Sequence, residues 1–137
     1  MTYVPDKVRK QVILRAGNLC EYCHLAQDGQ EAIFHIDHVH PVHLGGETTL
    51  ENLALACVSC SLRKGGKNEI TDPESQERVP IFNPRQQTWA DHFSWKHVVV
   101  QGKTPNGRAL VAALRMNRPV ILEIRRQEIS LGRQLSP

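Results

Sequence analysis

Two Cys-x-x-Cys knuckles, Cys20-Glu21-Tyr22-Cys23 and Cys57-Val58-Ser59-Cys60, constrain this chain more than any other feature. Each offers two thiolates from a tight turn, and two such turns complete a tetrahedral zinc site. Residues 24–56 lie between them, a longer interval than in the simplest zinc ribbons, with room for a β-hairpin. The competing use of four cysteines is two disulfides. The opening MTYVPDKVRKQV has interspersed charge and no apolar core of a signal peptide. No apolar run approaches the roughly 18 residues that a membrane span needs. The chain is therefore expected in the cytoplasm with no membrane partner, where paired cysteines hold metal more often than they form disulfides. Four thiolates leave no open coordination position, so this zinc is expected to hold the fold and do no chemistry.

The rest of the composition explains why a staple is useful. Of 137 residues, 40% are hydrophobic and only 5% aromatic, so the core is small and mostly aliphatic. The net charge of +3 does not announce a nucleic-acid partner, but its distribution is uneven. From Gln101 to Pro137 there are seven Lys or Arg and two acids, +5, which leaves ten basic and twelve acidic residues, −2, in the first hundred. A basic C-terminal third either follows a phosphate backbone or solvates helical faces.

Along the chain, Asp6 to Ala16 reads as a helix started by Pro5 and stopped by Gly17. Glu31 to His38 alternates as a strand does, and Leu53 to Ala56 is a second short apolar strand. Cys57 to Lys64 is a candidate helix ended by Gly65-Gly66. Asn68 to Gln87 is polar with three prolines and reads as an irregular connector. Phe93 to Gln101 suggests one strand, Thr104 to Gly107 a turn, and Arg108 to Met116 and Pro119 to Ile129 two helices. The expected division is residues 1–68 as the main module, 69–87 as connector and 88–137 as a basic extension.

Four of the seven histidines crowd into His35-Ile36-Asp37-His38-Val39-His40-Pro41-Val42-His43. Such a density of imidazole beside a carboxylate is expensive in a plain core. On a strand Asp37 and His38 point to opposite faces, and both reach one site only where the strand runs out into a loop. The ordered set Cys20-x-x-Cys23, Asp37-His38, Pro41, Gly45-Gly46, Asn52-Leu53, Cys57-x-x-Cys60 and Lys64-Gly65 resembles the HNH endonucleases of the ββα-metal group. The likeness is close over residues 20–67. Phe82-Asn83-Pro84-Arg85, Trp89, His92-Phe93 and Gly102 to Arg108 also look like an extension found in some bacterial HNH proteins.

The resemblance implies an α+β fold: a small zinc-stapled ββα-metal module with an N-terminal helix and a C-terminal extension of mixed strands and helices. It implies metal-dependent hydrolysis of phosphodiester bonds in DNA, with RNA not excluded, by a monomer or homodimer. His38 would be the general base, its ordinary pKa of about 6.5 lying near working pH. Asp37 would bind Mg²⁺ or Mn²⁺ through a hard oxygen, and Asn52 would tie down the loop and orient His38. Position 61 is where the family places a second metal ligand, usually His or Asn. Ser61 departs from that pattern: the cation binds it through a water, or recruits His40 or His35 instead. Arg63, Lys64 and Lys67 either anchor phosphates or cap a helix end. The rival reading is a weak or inactive zinc-held module that grips nucleic acid without cutting it. Trp89, Phe93 and Trp95 are read as packing, or as a surface for bases. Arg108, Arg115, Arg118, Arg125 and Arg126 line a groove or solvate two helices.

Overall fold

The computed structural model describes residues 3–135. The chain divides into two compact units, Met1–Asn68 with Asn83–Gln86, and Glu69–Phe82 with Gln87–Pro137.

The first unit begins with helix α1 (Asp6–Arg15). It is stopped by Gly17 and Asn18, both at φ 62, a conformation that releases the chain from the helix. The first knuckle follows, closed by a bridge between Leu19 and Ala26. Strands β1 (His35–His38) and β2 (Leu53–Ala56) pair antiparallel, with Asp37 opposite Ala54 and His38 opposite Leu53. Helix α2 (Val58–Lys64) starts directly after β2, its first turn capped by Cys57 Sγ, which accepts from Cys60 N–H at 3.4 Å. Val12, Tyr22, Phe34, Val39 and all four residues of β2 are buried. The expected ββα arrangement is thus present, with β1 four residues shorter than the alternation suggested. The Phe34 amide donates to Gln27 Oε1 at 2.8 Å, so the chain enters β1 from a turn.

The second unit departs further from the sequence reading. The segment read as an irregular connector contains a hairpin, β3 (Glu69–Thr71) against β4 (Arg78–Pro80). Asp72 closes it: its carboxylate accepts from Glu74 N–H and the Ser75 hydroxyl and takes a two-pronged ion pair from Arg108. The stretch read as one strand is also a hairpin. It comprises β5 (Phe93–Lys96) and β6 (Val99–Gly102), turning at His97, which adopts φ 56. Thr104 to Gly107, read as a turn, starts helix α4 (Pro105–Ala113): Thr104 Oγ1 accepts Gly107 N–H at 3.1 Å and Pro105 occupies the first turn. A Cβ at Gly107 would lie 2.0 Å from the His92 carbonyl oxygen, so only glycine lets the two segments meet.

The aromatic residues pack this unit. Phe93, at the start of β5, stacks on Trp89 of the short helix α3 (Trp89–His92) at 5.0 Å and meets Phe82 edge-on at 5.2 Å. Arg125 of helix α5 (Pro119–Ser130) is buried over the Trp95 ring at 5.1 Å, its guanidinium donating to the Val98 and Met116 carbonyls and Asn117 Oδ1. Arg108 and Arg125 are therefore structural ties and not open groove charges. No described helix is long and apolar enough to cross a membrane.

Hydrogen bonds from Arg108, and its charge, hold the Asp72 carboxyl well below the usual carboxylate range. A carboxyl with a depressed folded-state value contributes stability that is present above its unfolded value of about 4 and is lost as pH falls toward the folded value. Both tryptophans of the chain lie in this unit, so their fluorescence reports its melting. Wild type should melt above Asp72→Asn at pH 6, with the difference shrinking steadily below pH 4. A difference that does not change with pH would rule out the pairing as its source.

Candidate active site and metal centre

Cys20, Cys23, Cys57 and Cys60 are buried, and their sulfurs all lie within 4.8 Å of one another, Cys23 and Cys57 at 3.8 Å. A tetrahedral zinc with bonds of about 2.3 Å sets its sulfurs roughly 3.8 Å apart, so these donors fit the ion. Sulfur hydrogen bonds from Cys20, Cys23 and Cys60 pull the Cys57 thiol far down, while burial pushes Cys20 up and its sulfur neighbours push Cys60 up. Among the described residues these four are the one group of three or more His, Cys, Asp or Glu whose donor atoms converge. Glu21, inside the first knuckle, ties it to its surroundings. Its Oε2 accepts Leu55 N–H at 2.8 Å, its own N–H donates to the Leu55 carbonyl, and its Oε1 pairs with Arg85. Asn83 shapes the turn that delivers Arg85, accepting the Arg85 amide on Oδ1 at 2.9 Å.

A cavity of about 730 Å³ opens beside the end of β1, and His35, Asp37, His38, His43 and Ser61 are among its lining residues. Their placement follows from the register of α2 against β1. Ser61 and Lys64 stand about one helical turn apart, and His35 and Asp37 stand two residues apart on one strand face. Each helix residue meets one strand residue. His35 Nδ1 lies 2.9 Å from Ser61 Oγ, and Lys64 Nζ lies 3.2 Å from the Asp37 carboxylate.

Asp37 is 9% exposed, and Tyr22 donates its hydroxyl to Oδ2 at 2.6 Å. Burial raises the Asp37 pKa, against the opposing pull of Lys64. His38 Nε2 lies 2.9 Å from Thr48 Oγ1, and partial burial lowers its pKa, which favours the neutral imidazole. Asn52 stitches the β1–β2 loop: Oδ1 accepts His40 N–H at 2.8 Å, and Nδ2 donates to the His40 and Glu47 carbonyls. A Cβ at Gly46 would fall 1.8 Å from the His40 carbonyl oxygen, which accounts for glycine where that loop crosses itself.

Lys64, expected either to anchor a phosphate or to serve as a charge at the helix end, is instead turned inward. Lys64 is fully buried, with Nζ on Asp37 and, at 2.9 Å, on the His38 carbonyl. Lys67 is exposed, with Nζ on the Arg63 carbonyl, and Arg63 is half-buried, its Nε donating to Ser59 Oγ. His40 is exposed and bonded to the Leu44 carbonyl, outside the cavity lining. Tyr22 and Thr48 were not anticipated. Nothing in their local sequence marks them, since Tyr22 is 15 residues from its partner and Thr48 is 10 from its own.

Lys64→Met would leave Asp37 buried without its cation, a loss of about 3–5 kcal/mol. Adding Asp37→Asn should recover part of it, because no unpaired charge then remains. Amide exchange in β1 and β2 measures both, and a Lys64→Met loss below about 1 kcal/mol would show the pair to be unimportant.

A buried four-cysteine cluster beside a β-hairpin and a following helix, with a His–Asp-bearing cavity at the strand end, defines a small metal-stapled ββα module. Residues 20–67 match the HNH endonuclease family, and this segment carries the likeness to those nucleases. A relative, the Septu protein PtuB of Bacillus thuringiensis, is 22% identical over 113 residues, covering 81% of this chain and 41% of its own length. The chain thus spans about two-fifths of that relative. No solved structure matches this chain.

Proposed function

We propose that this chain is a metal-dependent endonuclease that hydrolyses phosphodiester bonds in DNA. The observation that carries the reading is the joint presence of His38, Asp37 and Ser61 on one open cavity within the segment that matches a nuclease family. His38 is the general base: with burial favouring its neutral form and Thr48 steadying one nitrogen, it takes the proton of the attacking water at the other. Asp37 holds a divalent cation, Mg²⁺ or Mn²⁺, with a carboxylate already oriented by Tyr22 and Lys64. When bound, that cation stabilises negative charge on the phosphate and on the leaving oxygen. Asn52 fixes the loop that follows His38 and so keeps the base in place. The four cysteines hold structural zinc. Arg63 and Lys67 contact neighbouring phosphates, which positions the strand without reading its sequence.

The test is cleavage of supercoiled plasmid by zinc-replete protein with and without added Mg²⁺ or Mn²⁺. Nicked or linear product that depends on the added cation supports the enzyme. Retardation of DNA on a gel with no cutting under either cation would replace it with the binding-module reading.

A further inference from the structure

We infer that His35 is a nitrogen ligand of the catalytic cation, with Ser61 as the residue that orients it. The inference rests on the reading of Asp37 as a ligand and specifies what completes that site. Asp37 alone is a weak anchor here, because the charge of its carboxylate is largely offset by Lys64 at 3.2 Å in the interior. A second donor on the same cavity has to be neutral and strong. Ser61 is neutral but weak, and its hydroxyl is already engaged with His35 Nδ1 at 2.9 Å.

That contact sets up the imidazole. A ligating histidine ordinarily commits one ring nitrogen to a hydrogen-bond partner, which fixes the tautomer and turns the other lone pair toward the metal. Ser61 takes the first role, and the second ring nitrogen of His35 carries no hydrogen bond among the described residues. His35 and Asp37 share one face of β1 and line the same cavity. Their Cα atoms lie roughly 6.6 Å apart by strand rise, a span that two side chains can bridge through one ion. His40 is excluded by its position outside this lining. A carboxylate–imidazole pair selects Mn²⁺, Co²⁺ or Ni²⁺ over Mg²⁺, which keeps to oxygen ligands.

The experiment is Mn²⁺ binding to zinc-replete protein, by titration and by electron spin-echo spectroscopy of the bound ion. Wild type should show coupling to an imidazole ¹⁴N. His35→Ala should keep its zinc and its melting transition, lose the coupling and bind Mn²⁺ at least about 10-fold more weakly. Ser61→Asn on the His35→Ala background supplies an amide oxygen instead, and should restore binding without the ¹⁴N signal. Nitrogen coupling that survives in His35→Ala, or is absent from wild type that binds the ion, overturns the inference and leaves the Asp37 reading standing. Unchanged Mn²⁺ binding in Asp37→Ala, or none in wild type, overturns that reading and the inference with it.

Discussion

Replacing Cys57 with alanine is expected to leave the first unit unfolded, and not merely short of a metal. The hairpin β1–β2 has four residues in each strand and α2 has seven. Elements so short cannot bury enough apolar surface to offset the chain entropy of ordering them. Four-thiolate zinc binding in small modules is worth about 10–16 kcal/mol at neutral pH, as much as the whole net stability of an ordinary domain, about 5–15 kcal/mol. Cys57 carries two functions at once, as a thiolate of the cluster and as the N-cap of α2 through its bond to Cys60 N–H. The expected result is protein with little or no bound zinc and no slow-exchanging amides in β1 or β2. Retained zinc with native exchange protection would refute it.

His38→Ala is expected to reduce cleavage by about 100- to 10,000-fold, the usual contribution of a positioned general base. The variant should fold, since His38 is half-buried and its ring contact is a single bond to Thr48. Zinc content, amide exchange and DNA retardation should all match wild type, which separates loss of the base from loss of the site. Cutting within about threefold of wild type would remove His38 from the chemistry. It would turn attention to His43, which lines the same cavity.

What was legible in the sequence was what local pattern encodes. The knuckle spacing foretold a four-cysteine cluster, because each Cys-x-x-Cys turn presents two sulfurs to one centre and two such turns complete a tetrahedral set. Leu53 to Ala56 and the helix after Cys57 were read nearly to the residue, since an apolar run and a glycine stop at Gly65 need no distant information. The hairpins of the second unit were missed for the opposite reason. Three-residue strands are too short to show a period, and the bond that closes β3–β4 comes from Arg108, 36 residues after Asp72. The β5–β6 turn lacks a glycine, its left-handed residue being His97.

At the candidate site the division is sharper. By itself the sequence determined the chemistry available: a carboxylate and an imidazole side by side in Asp37-His38, an amide at Asn52 to pin the loop, four thiols suited to a metal and a hydroxyl at Ser61. Only the tertiary structure decided what those groups face. Residues one helical turn apart met residues two apart on a strand, so that Lys64 went inward to Asp37 and Ser61 came to rest on His35. A charge on a short helix reads as solvent-facing until the helix is docked, and the register of that docking depends on packing between segments more than twenty residues apart.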